Sequence, residues 1–284
     1  MFVRCSAIAE PPTHLLVTAP HAFLLAWLAL ALLFTAVWAA QLRTGNASII
    51  DAWWAWSLGG IGVFYAWASP GDLATRLLAG TMLAVWGLRL GTYIHRRGQG
   101  QPEDGRYTRL REEHGAPANG WMLGFFLLQT VFSMLLSLGP LVAMGRMDRP
   151  HAALLVLAVV IWIVAVIGEA VADHQLAAFK RDPAHRGQVC RAGLWRYSRH
   201  PNYFFECLHW AAYVPLALGA AWGWLALLPP AVMAFLLLKL SGLPVTEAQA
   251  ARTRPGYAEY IRTTSALIPW PPRAPAALAE TKTL

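Results

Sequence analysis

Long apolar runs, separated by short polar segments, follow one another along most of the sequence. A helix that crosses the hydrocarbon core of a bilayer needs about 20 mostly apolar residues. By that measure we predict membrane-spanning helices at residues 21–40, 49–68, 77–95, 121–144, 152–172, 203–219 and 222–240. The pattern predicts an all-α integral membrane protein with about seven transmembrane helices joined by polar loops.

Two polar segments flank the predicted spans. Residues 1–20 form a polar N-terminal leader, and residues 241–284 form a C-terminal segment. Alanine-rich sequence after the first apolar run also fits a signal peptide, but that run would fill a bilayer, so we favour a retained helix. Residues 21–284 are therefore predicted to form a single seven-helix membrane domain. Within it, residues 247–264 are predicted as an amphipathic helix at the membrane interface.

The composition supports this class of protein. Hydrophobic residues make up 57% of the chain and charged residues 13%, which is too apolar for the wetted surface of a soluble domain. The 14 Trp and 8 Tyr residues suit aromatic belts at the two membrane interfaces. In so apolar a chain, the net charge of +8 indicates cationic loops, and we do not predict binding to nucleic acid.

Common metal-binding patterns are missing from the sequence. The 9 histidines form no HxxxH or HxxHH box, and the 3 cysteines form no CxxC pair. A membrane di-iron enzyme is therefore not expected, and we predict no metal site.

Positive charge is distributed unevenly among the predicted loops. The loops after odd-numbered spans and the C-terminal end of the chain, counted from Lys239, hold 18 of the Lys and Arg residues, and the opposite side holds 4. Those on the sparse side are Arg4, Arg76, Arg146 and Arg149. Because cytoplasmic loops carry an excess of Lys and Arg, we predict that the N-terminus is outside and the C-terminus cytoplasmic.

Charged and polar side chains within the predicted spans are candidate functional residues, because an ionisable group in lipid is costly. Asp51 begins the second span, and Arg89 and Tyr93 lie in the third. Asp51 and Arg89 would either form a structural ion pair or line a substrate site, and both interpretations stay open.

A dense polar cluster follows the fifth span, in the segment GLWRYSRHPNYFFE at residues 193–206. Arginine forks bind phosphate, aromatic rings stack on flat rings, and Asn and Glu bind amide or ribose hydroxyl groups. Such a set suits an anionic dinucleotide, although a cationic loop with interfacial aromatic residues has a similar composition. The candidate residues are Tyr197, Arg199, His200, Asn202, Tyr203 and Glu206.

Four segments carry a resemblance to a known family: NASIIDAWW, PEDGRYTRLRE, GLWRYSRHPNYFFE and EAQAARTRPGYAEYIRTTSALIPWPP. With these motifs in this order, the chain resembles the steroid 5-alpha-reductase-like membrane family, specifically its bacterial DUF1295 branch. The third motif is also similar to a stretch of the sterol reductases, which bind NADPH. It is more loosely similar to isoprenylcysteine carboxyl methyltransferases, which bind S-adenosylmethionine.

The resemblance implies that NADPH binds near the cytoplasmic face and that a hydrophobic substrate enters from the bilayer. Asn202 and Glu206 match the cofactor-contacting Asn and Glu of the family, and Asp173 matches a further cofactor contact. Trp210 and Tyr260 lie where the family places other residues of the cofactor pocket.

Two features depart from the family pattern. Steroid reductases polarise the enone oxygen with a Glu from the second span and a Tyr from the third. This chain offers Asp51 at the start of the second span and Tyr93 in the third. Phe205 stands where the pattern usually has Gly beside the Glu, which predicts a narrower pocket.

The predicted function is NADPH-dependent reduction of an activated carbon–carbon double bond in a steroid- or isoprenoid-like lipid, in the bacterial inner membrane. Asp51, Arg89 and Tyr93 are the predicted catalytic residues around the proton donor. One alternative is an S-adenosylmethionine-dependent methyltransferase of the isoprenylcysteine carboxyl methyltransferase type. The other is a non-catalytic membrane protein that binds lipid or a partner.

Overall fold

The protein is represented by a computed structural model that describes residues 19–240 and 242–274. Most of the predicted polar leader, residues 1–18, lies outside the described residues. Within the described ranges the chain is helical and contains no β-strand, apart from one isolated parallel bridge between Ser198 and Ser265. The all-α prediction is therefore confirmed.

The described residues form eleven α-helices, connected by turns and short helices of other types. In chain order, α1 to α11 are Ala19–Thr44, Ile49–Ala68, Leu73–Gly98, Gly105–His114, Ala118–Gly145, Ala152–Arg181, Pro201–Ala211, Val214–Ala217, Leu228–Phe235, Leu243–Thr253 and Tyr257–Thr263. Three 3₁₀ turns occur at Pro183–His185, Gly193–Arg196 and Gly223–Leu227, and a π-helix at Leu236–Leu240.

Among the described residues, five helical segments are long and apolar enough to cross a membrane. They are α1, α3, α5, α6 and the composite helix Gly223–Leu240. This result confirms an integral membrane protein, because segments of this length and composition are typical of membrane spans.

The second and sixth predicted spans are not among these five segments. The second coincides with α2, whose bounds match residues 49–68. The sixth, residues 203–219, is broken into α7 and α8, with Pro215 in the first turn of α8. Proline lacks an N–H donor and its ring clashes with the carbonyl four residues earlier, so a straight helix does not continue through it. The number of spans stays a prediction.

Three further boundaries differ from the sequence prediction. Helix α6 continues to Arg181, well beyond the predicted end at residue 172. Helix α4 occupies part of a segment predicted as a loop. The predicted single helix at residues 247–264 is replaced by α10 and α11, which are separated around Gly256, a residue with φ of 80°. Gly256 adopts this left-handed conformation because it has no Cβ.

The chain divides into two compact units. Unit 1 comprises Met1–Thr130 and Met144–Arg149, and unit 2 comprises Val131–Ala143 and Pro150–Leu284, each within the described residues. Unit 1 holds α1 to α4 and the first part of α5, whereas unit 2 holds a later part of α5 and α6 to α11. Each unit contributes its own polar cluster.

Helices α2 and α3 of unit 1 form an antiparallel hairpin whose backbones approach closely. A Cβ atom on Gly87 of α3 would lie 2.5 Å from the carbonyl oxygen of Ala55 and 2.8 Å from Cα of Gly59. Gly60, on the same hairpin, has open space where its Cβ would be. Small residues permit this approach, which gains van der Waals contact where lipid supplies no hydrophobic driving force.

In unit 2, a glycine also permits the close packing of α7 against α6. The ring of Phe205 lies where a Cβ atom on Gly168 would be. Phe205 therefore fills a space left by a glycine on α6, and its side chain is buried there.

The glycine contact in the α2–α3 hairpin generates the first testable prediction. Gly87→Ala should lower the melting temperature in detergent by about 2–8 °C, because overpacking against backbone atoms costs roughly 1–3 kcal/mol. Gly60→Ala is the matched control and should leave the melting temperature unchanged or raise it, since alanine is the better helix former. Equal melting temperatures for the two variants would contradict the close approach.

Candidate functional site

The polar cluster of unit 1 is centred on Asp51, at the start of α2. One carboxylate oxygen accepts a hydrogen bond from Nη2 of Arg106 at 2.7 Å, and the other accepts from the hydroxyl of Tyr107 at 2.7 Å. Both partners lie on α4, and the ring of Tyr107 is buried. Asp51 therefore joins α4 to the start of α2.

Additional contacts hold the segment before α4 against the start of α2. Glu103 accepts the backbone N–H of Ala47 at 2.6 Å, and the backbone N–H of Asp104 donates to Oγ of Ser48 at 2.7 Å. Arg111 of α4 donates to Glu103 at 3.0 Å. Because the first N–H groups of a helix lack intrahelical acceptors, a carboxylate from a neighbouring loop is well placed beside them.

The charges of this cluster are mutually stabilised. Burial disfavours the charge on Arg106, but Asp51, Tyr107 and Asp104 together outweigh this effect, so the pKa of Arg106 is raised. Burial would likewise raise the pKa of Asp104, but hydrogen bonds from Arg106 dominate and the pKa of Asp104 is lowered. Burial, reinforced by the nearby Asp51, raises the pKa of Tyr107. The Asp104 carboxylate is therefore ionised and the Tyr107 phenol neutral at physiological pH.

This geometry changes the interpretation of the predicted catalytic residues. Asp51 serves as an acceptor for Arg106 and Tyr107, whereas an ion pair with Arg89 was one of the two interpretations left open by the sequence. Arg89 and Tyr93 lie on α3, both half-buried, and the guanidinium of Arg97 lies 5.5 Å from the centre of the Tyr93 ring. A catalytic role for these residues stays a prediction.

The polar cluster of unit 2 begins where α6 meets α7. Helix α6 places Glu169 and Asp173 one turn apart, and both are buried. From the first turn of α7, Nδ2 of Asn202 donates to Asp173 at 3.4 Å. The amide oxygen of Asn202 is buried and has no hydrogen-bond partner among the described residues. A buried acceptor of this kind is costly unless something donates to it.

Glu206 and Trp210 lie one turn apart on α7. The indole Nε1 of Trp210 donates to Oε1 of Glu206 at 3.0 Å, and both side chains are buried. Asp173, Asn202 and Glu206 thus place two carboxylates and an amide on neighbouring turns of two packed helices. The resemblance had singled out all three.

Arg199 is committed to internal contacts instead. Its Nε donates to Oε1 of Glu247 at 2.7 Å, and Nη1 donates to the carbonyl oxygens of Ile261 at 3.0 Å and Thr264 at 2.6 Å. The side chain is 9% exposed. A guanidinium with its charge and donors used in this way has little left for a phosphate.

His200 shares the same carboxylate. Its Nε2 lies 3.1 Å from Oε1 of Glu247, and its ring stacks on Tyr203 with centroids 4.9 Å apart. Burial lowers the pKa of His200, although the contact with Glu247 opposes the shift. The neutral imidazole is therefore favoured at neutral pH.

Tyr260 also supports the loop. Its hydroxyl donates to the carbonyl oxygens of Trp195 and Ser198, and burial raises its pKa. Tyr197 is the exception among the predicted cofactor residues, because its ring is 41% exposed. Its carbonyl oxygen accepts the backbone N–H of Trp270 at 2.9 Å.

The predicted cofactor residues thus separate into two groups. Two hydrogen-bonded pairs, Asp173 with Asn202 and Glu206 with Trp210, lie on neighbouring turns of α6 and α7. Arg199, His200 and Tyr260 instead fix the turn before α7 to the C-terminal helices, and Tyr197 and Tyr203 belong to neither group. Sequence reasoning missed the partners that make these contacts, namely Glu247 in unit 2 and Arg106 with Tyr107 in unit 1. The motif PEDGRYTRLRE held a signal for the latter, since it places acidic residues and arginines within a few positions of one another.

The fold and the polar clusters define the class of protein to which this chain belongs. A helical chain with five potential membrane spans and buried polar clusters is a polytopic membrane protein. Residues 37–264 match the family described as "Protein of unknown function (DUF1295)". The chain belongs to this family, which is part of the steroid 5-alpha-reductase-like group. No curated protein and no solved structure matches the chain significantly.

The Arg199–Glu247 ion pair generates a second prediction. Glu247→Ala should lower the melting temperature by about 5–10 °C, because removing one partner of a buried pair costs roughly 3–5 kcal/mol. The control is Glu259→Ala, which removes an exposed carboxylate 3.3 Å from Arg191 and should cost about 1 kcal/mol or less. A similar fall in melting temperature for both variants would contradict a large contribution of the Arg199–Glu247 pair to stability.

Proposed function

We propose that the protein is an NADPH-dependent membrane oxidoreductase that reduces an activated carbon–carbon double bond in a lipid-like substrate. Membership of the DUF1295 family supports a protein of the 5-alpha-reductase-like group. The observation that carries the proposal is the amide of Asn202, whose buried oxygen has no partner among the described residues and lies beside two buried carboxylates.

The donor and acceptor groups of this set suit the sugar and carboxamide parts of a dinucleotide. The amide oxygen of Asn202 would accept a hydrogen bond from a carboxamide N–H or a ribose hydroxyl. Asp173 and Glu206 would accept from further hydroxyl groups, and charge-assisted hydrogen bonds of this kind are the stronger ones. The residues present therefore fit the cofactor that the family implies.

The phosphates of a dinucleotide need cationic residues with donors to spare. Arg199 is saturated by Glu247 and by carbonyl oxygens, so we no longer assign phosphate binding to it. Arg196, in the same loop, is exposed, and so is the ring of Tyr197, its neighbour in the sequence. A guanidinium beside an aromatic ring suits a phosphate next to a flat base.

The remaining chemistry requires a residue that stabilises negative charge on the substrate. NADPH, when bound, supplies the hydride. As the double bond accepts it, charge develops on the conjugated carbonyl oxygen, and a donor fixed in a dry site stabilises that charge with little reorganisation. Tyr93 and Arg89 stay the predicted residues for this role, whereas Asp51 already accepts two hydrogen bonds.

Binding measurements in mild detergent test the cofactor assignment. NADPH should raise the melting temperature, since a ligand at about 100 times its Kd stabilises the folded state by roughly 3 kcal/mol. Asn202→Ala should raise the Kd for NADPH about tenfold or more, because the buried hydrogen bond from the cofactor to the Asn202 amide oxygen is lost. Gln188→Ala, which removes an exposed amide in the same unit, is the control and should leave the Kd unchanged.

Three results would count against the proposal. NADPH fails to stabilise the native protein, the Asn202→Ala variant binds as tightly as the native protein, or only S-adenosylmethionine stabilises the fold. The last result would favour the methyltransferase alternative instead.

The orientation in the membrane is part of the same proposal, because NADPH is a cytosolic cofactor. The Lys and Arg distribution supports a cytoplasmic C-terminus with seven spans. Green fluorescent protein fused to the C-terminus should therefore fluoresce, and alkaline phosphatase fused there should be inactive. The opposite pair of results would reverse the topology.

A further inference from the structure

A separate cavity lies in unit 2, between α11 and the segment that follows it. Its volume is about 310 Å³, and its polar lining comes from Arg199, Arg262, Arg273, Thr263, Thr264 and Ser265. Trp270 forms an apolar wall. None of these residues belongs to the set around Asn202. The two sites are connected through Arg199, which lies in the turn before α7.

Backbone hydrogen bonds fix the walls of this cavity. The N–H of Arg273 donates to the carbonyl oxygen of Thr263 at 2.8 Å, which folds the segment back onto α11. The N–H of Trp270 donates to the carbonyl oxygen of Tyr197 at 2.9 Å. Arg199 lies at the base and donates to the carbonyl oxygens of Ile261 and Thr264. The cavity is therefore a built feature of the fold.

The charge of the cavity is not balanced within it. The charge of Arg199 is neutralised by Glu247, and the nearest acidic residue of α11, Glu259, pairs with Arg191. Arg262 and Arg273 are both exposed, and neither forms an ion pair with a carboxylate in the described part of the chain. Two positive charges thus line one small concave site.

We propose that this cavity is a binding site for a phosphate group, held by Arg262 and Arg273. Two guanidinium groups present several N–H donors in planar forks that match phosphate oxygens. The adjacent hydroxyl group of Ser265 offers a smaller donor of the kind found around bound phosphates, whereas the hydroxyl of Thr263 already donates to the carbonyl oxygen of Glu259 at 2.9 Å. The proposal does not depend on the reductase activity proposed above.

Two sources of phosphate fit this chemistry. One is the headgroup of an anionic phospholipid, which the exposed side chains of Trp270, at 68%, and Ile268, at 62%, favour. Tryptophan is enriched at membrane interfaces, and arginines beside it attract anionic lipids. The other source is a soluble organic phosphate such as an adenosine phosphate, for which the Trp270 ring would provide a stacking surface.

The test compares ligands by thermal shift in a zwitterionic detergent at constant ionic strength. Inorganic phosphate, short-chain phosphatidylglycerol, short-chain phosphatidylcholine and adenosine 2′-phosphate are titrated into the native protein. The variant Arg262→Gln with Arg273→Gln should raise the Kd for phosphate by about tenfold for each arginine removed. The matched control, Arg252→Gln with Arg254→Gln, removes the same charge from the end of α10 and should bind like the native protein.

Saturable stabilisation by phosphate that the first double variant loses and the control keeps would support the site. Tighter binding of phosphatidylglycerol than of adenosine 2′-phosphate would identify lipid as the source, and the reverse order would identify a nucleotide. No saturable response, or equal responses in both double variants, would overturn the proposal. If the glutamine variant elutes as aggregate, Arg262→Lys with Arg273→Lys replaces it, and unchanged phosphate binding without the guanidinium forks would likewise overturn it.

Discussion

The contact between Arg199 and Glu247 is the interaction on which the polar half of unit 2 depends. Arg199 comes from the turn before α7, Glu247 comes from α10, and the same guanidinium donates to carbonyl oxygens at the end of α11. One side chain therefore holds the turn before α7 to two consecutive helices whose contacting residues lie 48 and 62 positions further along the chain. Burying a guanidinium is costly, so the elements that supply its acceptors are held together as a group.

The position of the Asn202 set follows from this contact. The turn that carries Arg199 leads directly into α7, and Tyr260 secures the same turn through the carbonyl oxygens of Trp195 and Ser198. With its first turn anchored in this way, α7 presents Asn202 to Asp173 on α6. Residues that resemble cofactor contacts in the sequence thus divide into those that hold the scaffold together and those whose buried polar atoms meet where α6 packs against α7.

Local patterns in the sequence predicted much of the fold. The bounds of α2 followed from apolar length alone, and the segment around Asn202 followed from its unusual polarity at the head of an apolar run. The partner of Arg199 could not be predicted, because Glu247 lies 48 residues away and nothing in the intervening sequence specifies the distance between them in space. The same holds for Asp51 and Arg106, which are 55 residues apart.

Helix α6 links these observations to the membrane itself. Its 30 residues correspond to about 45 Å, whereas the hydrocarbon core of a bilayer is roughly 30 Å thick. Measured from Ala152, Asp173 lies about 32 Å along the helix axis, close to the edge of that core. The side chain of Asp173 is buried against Asn202 of α7, so its own protein, and not the lipid, sets its surroundings. A helix longer than the core can therefore carry a polar set towards the aqueous side while the same element still crosses the bilayer.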